Sequence, residues 1–155
     1  MEAYLDNAAT TMPFPEVREI MMETMEKAYG NPSSLHNKGI EAEKYIKYAK
    51  KQIAKALKVE EKEIIFTSGG TESNNQALIG AAMANKRKGM HIITTKIEHA
   101  SVHNPLLYLE EQGFRISFVS VDKNGFVCME ELLNEICEDT QLVSIMHVNN
   151  EIGTI

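Results

Sequence analysis

Apolar positions recur at helical intervals through the first third of the chain, then give way to short apolar runs separated by further helical stretches. Between Glu16 and Tyr29, Val17, Ile20, Met21, Met25 and Ala28 keep near-helical spacing, with Pro15 at the entrance and Gly30 at the exit. A second helix is predicted from about Gly39 to Leu57, with Ile46, Ala49, Ile53, Ala56 and Leu57 on one face and the lysines on the other. The period then changes. Strands are predicted over Glu63 to Thr67, His91 to Thr95, Phe114 to Val121 and Leu142 to Val148. Helices are predicted between them, over Glu72 to Lys88, Ser101 to Gln112 and Met129 to Glu138.

Strands separated by helices of ten or more residues imply right-handed crossovers over a buried sheet. The expected class is α/β, a mainly parallel sheet with helices on both faces, preceded by amino-terminal helices. Residues 1–57 form the expected helical segment and 58–155 the expected α/β part, with the charged seam Lys58 to Lys62 between them. Ligands of such sheets bind beyond the carboxyl ends of the strands. That rule selects three loops: Thr67 to Asn75, Lys96 to Ala100, and Asn149 to Gly153.

Composition narrows the class without naming a reaction. At 155 residues and 43% hydrophobic the chain has enough apolar mass for one globular core. No apolar run approaches the roughly 20 residues of a membrane span, and the first residues lack a signal-peptide pattern, so a soluble cytoplasmic protein without a membrane partner is expected. A formal charge of −6 with no basic stripe argues against nucleic acid. Cys128 and Cys137, nine apart, fit neither a redox pair nor a zinc half-site and read as packing residues or incidental thiols. No pair of histidines is spaced for a metal, and none is expected.

The three loops carry the candidate chemistry. Thr67-Ser68-Gly69-Gly70-Thr71-Glu72-Ser73 is a small-residue turn opening a helix. Its glycines let amides converge, Ser68 and Thr71 offer hydroxyls, and the helix amides favour an anion. The same residues also suit an ordinary N-cap, with Glu72 complementing the helix dipole. His99, where a strand gives way to a helix, suits stacking on a planar ligand or proton exchange, and equally suits capping its own helix. Asn149 and Asn150 suit a phenolic or carbonyl oxygen, or an Asx turn closed by Gly153. His36, His91, His103 and His147 have weaker cases, His147 reading as a core or sheet-edge residue.

Five segments in this order resemble the NifS-like cysteine desulfurases: Tyr4 to Thr11, Tyr29 to His36, Phe66 to Asn74, Glu98-His99, and Met146 to Gly153. The resemblance runs through the whole chain and matches the amino-terminal part of that family. It implies the large domain of the PLP-dependent transferase fold (type I), incomplete here, in a homodimeric enzyme with pyridoxal 5'-phosphate as cofactor. The implied reaction takes sulfur from L-cysteine onto an enzyme cysteine as persulfide and releases L-alanine. The implied partners are a sulfur acceptor or an iron–sulfur scaffold protein. Position by position, Gly70 and Thr71 match the phosphate-binding turn. His99 matches the histidine that stacks on the pyridine ring and assists proton transfer, and Asn150 matches the asparagine that bonds the ring's phenolic oxygen. The segments around Asn7 to Thr11 and Asn31 to Ser34 look like the family's loops at the mouth of the active site.

In that family the acid paired with the pyridine nitrogen, the glutamine beside it, the Schiff-base lysine and the persulfide-forming cysteine lie downstream of the motif ending at Gly153. None of them is among these 155 residues. The expectation is therefore the amino-terminal portion of a desulfurase, inactive alone. The alternatives are a related class V enzyme, such as a selenocysteine lyase or an aminotransferase, or a split half that pairs with a separately encoded partner.

Overall fold

The computed structural model describes residues 2–155, which divide into two compact units, 2–66 and 67–155. In the first unit, α1 (Pro15–Glu26) opens on its proline, whose missing N–H is unneeded in a first turn. The second helix, α2 (Asn37–Leu57), begins where the His36 ring accepts from the Gly39 amide and ends at Lys58 in the left-handed region. A short 3-10 turn, Glu61–Glu63, follows.

The second unit is α/β. Helix α3 (Gly70–Ala84) leads into β1 (His91–Thr95), α4 (Ala100–Glu111), β2 (Arg115–Val119), α5 (Met129–Glu135) and β3 (Thr140–Ser144). The strands pair in the order β2-β1-β3, all parallel, so the first strand is central and buried throughout. Side-chain alternation divides β1 between two cores. Ile92 packs with Leu78, Ala82, Leu106, Leu109 and Phe114, placing α3 and α4 on one face. Ile93 packs with Val119 and Leu132, placing α5 on the other. Burying the Leu106 and Leu109 side chains completely contributes about 1.5–3 kcal/mol each.

One expected strand is absent. Of the strand predicted over Glu63 to Thr67, Glu63 closes the 3-10 turn and Ile64 is extended (φ −89°, ψ 119°), but no strand of this sheet pairs with the segment, and Ile65 and Phe66 stay exposed. An apolar run becomes a strand only where a neighbour takes its N–H and C=O groups. The last two strands are shorter than their apolar runs for an identifiable reason. The Ser120 amide donates to Glu131 Oε2 at 2.9 Å and the Met146 amide to Glu98 Oε1 at 2.8 Å, so side chains take over where each ladder stops. His147 consequently lies beyond β3 and is exposed, outside the strand that its apolar neighbours predicted.

Candidate functional site

The crossover from β1 to β2 runs over one face through α4, and that from β2 to β3 over the other through α5. Chain direction therefore diverges around β1, which opens a crevice beyond the carboxyl ends of β1 and β3. A cleft of about 460 Å³ lies there, lined by Lys96, Glu98, His99, Asn149, Asn150 and Glu151 among others.

Two of these side chains build the cleft. Glu98 Oε1 accepts from the Met146 amide at 2.8 Å and from Thr95 Oγ1 at 3.1 Å, clasping the loop after β1 to the loop after β3. Asn149 is buried; its Nδ2 donates to the Ile97 carbonyl at 3.1 Å, and its Oδ1 accepts from the Glu151 and Ile152 amides at 2.9 and 3.1 Å. That is an Asx turn, one of the two readings open in the sequence. Asn150 is left exposed, and its carboxamide has no hydrogen-bond partner among the described residues. Lys96 is turned aside, its Nζ donating to Ser120 Oγ at 3.3 Å.

His99 caps α4. Its Nδ1 accepts from the Ser101 amide at 3.1 Å and lies 2.8 Å from Ser101 Oγ, while Nε2 is without a partner among the described residues. Both sequence readings meet in this residue, because capping uses one ring nitrogen and leaves the other free. The Ser101 hydroxyl in turn accepts from Asn74 Nδ2 at 2.8 Å, so a side chain one turn into α3 reaches the amino terminus of α4.

The turn entering α3 is simpler than its composition suggests. Both Ser68 donors are occupied, the amide and the hydroxyl each reaching Glu72 Oε2 at 2.6 Å. Those two bonds hold the Glu72 carboxyl below its ordinary range. Thr67 Oγ1 donates to the Gly69 carbonyl at 3.1 Å and sits 2.7 Å from Ser73 Oγ. What stays free in this turn includes the amides at Gly70, Thr71 and Glu72 together with the Thr71 hydroxyl. The Ser68 hydroxyl, a candidate donor in the sequence, belongs to the turn itself. A Cβ built at Gly69 or Gly70 meets nothing within 4 Å, so neither glycine is packed against a neighbour. Gly70 and Thr71 do not line the 460 Å³ cleft; the Asn74–Ser101 bond is what joins their helix to His99.

The donor set fits pyridoxal 5'-phosphate in kind. Converging amides and a hydroxyl at a helix amino terminus suit a phosphate, an exposed imidazole suits a planar ring, and a free carboxamide suits a phenolic oxygen. The sequence pointed to each of these residues but gave no role to Asn74 or Ser101, and it read Glu72 only as a helix-dipole partner and Glu98 only as part of a family motif, because their roles rest on contacts with other side chains and backbone amides. An asparagine in a helix interior, where its propensity is poor, marks Asn74 and Asn75 alike, so the sequence does not single out Asn74.

Both cysteines are exposed, and so do not pack the core. Cys137 lies at the opposite, amino end of the sheet, beside the first residue of β1, with Arg115 Nη2 donating to its Sγ at 3.1 Å. The Thr140 hydroxyl, the Asp139 backbone and this guanidinium hold the thiol below its usual range.

Residues 3–155 match the family described as aminotransferase class-V. Among curated relatives, the cysteine desulfurase IscS of Dictyoglomus turgidum is 51% identical over 154 residues, and that of Clostridium botulinum strain Kyoto 47%; each match covers 99% of this chain and 39% of the relative. The chain thus spans about two fifths of the length of these relatives. A solved structure described as a NifS-like protein superposes with a TM-score of 0.94 at 45% identity, over 100% of this chain and 43% of that one. Another, described as SspA in complex with cysteine, superposes with a TM-score of 0.89 at 36% identity, over 98% of this chain and 44% of that one.

Proposed function

The chain belongs to the class-V aminotransferase family, and from that membership we propose that it forms the phosphate- and ring-holding wall of a cysteine desulfurase using pyridoxal 5'-phosphate. The observation that carries this reading is a set of free donors on three loops of one α/β unit: the amides and hydroxyl around Gly70 and Thr71, the His99 ring with its unpartnered Nε2, and the Asn150 carboxamide. Relatives at 47–51% identity named as cysteine desulfurases support the choice of reaction within the family.

The Gly70 amide, with the Thr71 amide and hydroxyl, donates to the phosphate, where the α3 dipole adds favourable charge. Bound there, the cofactor supplies the electron sink that the α-carbon of L-cysteine needs. His99 presents its ring as a stacking face and its Nε2 as a site for a proton in transit. Asn150 donates to the phenolic oxygen without changing the charge of the site. Lys96, engaged with Ser120, is not assigned as the cofactor-bearing lysine. That lysine, the acid facing the pyridine nitrogen and the sulfur-accepting cysteine are assigned to sequence matching the remaining length of the relatives. The products are L-alanine and an enzyme persulfide, whose sulfur passes to an acceptor or iron–sulfur scaffold protein. The working form is a homodimer in the cytoplasm; no helix among the described residues is long and apolar enough to cross a membrane.

The test is alanine release by the natural-length protein that carries these residues, purified with pyridoxal phosphate and given cysteine and a thiol. Alanine formed in step with cysteine consumed is the expected result. No alanine from protein with bound cofactor would overturn the assigned reaction, and release confined to selenocysteine would move it to a lyase.

A further inference from the structure

We propose that Asn74 and Ser101 are positioning residues for His99, fixing its neutral ring as the tautomer that carries its proton on Nε2 and presents an N–H to the cleft. The functional meaning rests on the pyridoxal reading of the site; the tautomer itself does not.

A backbone amide can only donate, so the 3.1 Å bond from the Ser101 N–H favours the form with a bare lone pair at His99 Nδ1, and this exposed ring holds that form alone only with a second donor there. The neutral ring then has its hydrogen on Nε2. Capping explains this one bond and nothing more. The second donor at Nδ1 is the Ser101 hydroxyl at 2.8 Å, and its direction is set from another helix. Asn74 Nδ2, also only a donor, occupies a lone pair of Ser101 Oγ at 2.8 Å and leaves the hydroxyl hydrogen to point at Nδ1. Ser101 is buried and Asn74 half-buried, which keeps water from substituting for either partner. The bridge also couples two parts of the site, because Asn74 stands on the same first turns of α3 as the free amides of Gly70 and Thr71. Movement of that helix terminus is felt at the His99 ring.

The experiment is long-range ¹H–¹⁵N correlation of the histidine ring on cofactor-free protein at a pH where the imidazole is neutral, with the His99 signal assigned by its loss in His99→Gln. The wild type is expected to show the Nε2–H pattern. Ser101→Ala and the isosteric Asn74→Asp, whose carboxylate draws the Ser101 hydroxyl away from the ring, should each give a mixture of tautomers. Ser101→Thr should restore the wild-type pattern. In the natural-length enzyme the same two variants should lower kcat about five- to tenfold, as expected for one neutral hydrogen bond, with KM and cofactor retention unchanged. Their double variant should be no worse than either single one, because both break one chain. An Nδ1–H pattern in the wild type, or a pattern unmoved by both substitutions, would overturn the proposal. Additive kcat losses would overturn the shared chain. A wild-type enzyme that holds the Nε2–H tautomer yet forms no alanine would overturn the desulfurase reading alone.

Discussion

An added methyl at Gly70 meets nothing within 4 Å, and Gly70 is the first residue of α3 with no left-handed backbone to preserve. Gly70→Ala is therefore expected to leave stability unchanged or raise it by up to about 1 kcal/mol, through lost freedom of the unfolded chain. The same methyl should weaken phosphate binding by crowding the space in front of the amides. Denaturant unfolding checks the first expectation and phosphate titration the second; a lowered unfolding midpoint would show that the turn relies on glycine for its own geometry. At this scale the sequence was most legible where a residue's chemistry is spare. Gly70, Thr71, His99 and Asn150 stand out because nothing in their own helix or turn consumes all their donors. It was least legible where neighbours compete. Ser68 looked like an anion donor until Glu72, four residues on, proved to hold both of its hydrogens, and Asn149 looked equivalent to Asn150 until Ile97, Glu151 and Ile152 used its amide.

The entrance to α3 depends on Glu72 as an ionised acceptor. Its carboxyl is depressed in the folded state, so its stabilising effect is fully present above the ordinary glutamate value near 4.3 and fades only as pH falls through the lower folded value. Carboxyl ¹³C and Ser68 amide shifts should stay flat from neutral pH down past that ordinary value and move together below it. Movement centred at or above the ordinary value would contradict the clasp, as would Glu72→Gln leaving the Ser68 amide shift unchanged. Elements were readable where one period dominated a buried face, as for β1 and for the α3–α4 core around Ile92, Leu106 and Leu109. The carboxyl ends of β2 and β3 were not, because a side chain from elsewhere takes the backbone beyond each. Glu131 takes the amide after β2, Glu98 takes the Met146 amide beyond β3, and residues 64–67 have the composition of a strand without a pairing neighbour.

For the whole molecule, the alternation of short apolar runs and helices foretold a parallel α/β sheet, and the rule about carboxyl ends selected three loops, of which those after β1 and β3 meet in one crevice while the turn into α3 does not line it. The strand order β2-β1-β3 was not foretold, since crossover lengths alone do not say on which side of β1 each later strand adds. That order matters to the site because it makes β1 and β3 neighbours, so that the loop carrying His99 and the loop carrying Asn150 line one crevice. The central claim is that this crevice and the α3 turn together hold pyridoxal 5'-phosphate. The most direct measurement is a ³¹P NMR titration of pyridoxal phosphate with the natural-length protein and with its Thr71→Ala and His99→Ala variants. The wild type should bind with a shifted phosphate resonance, Thr71→Ala should weaken binding about tenfold through a lost charge-assisted hydrogen bond, and His99→Ala should weaken it less while leaving the bound phosphate shift unchanged. A phosphate resonance that does not respond to the protein, or binding that is indifferent to Thr71, would contradict the claim.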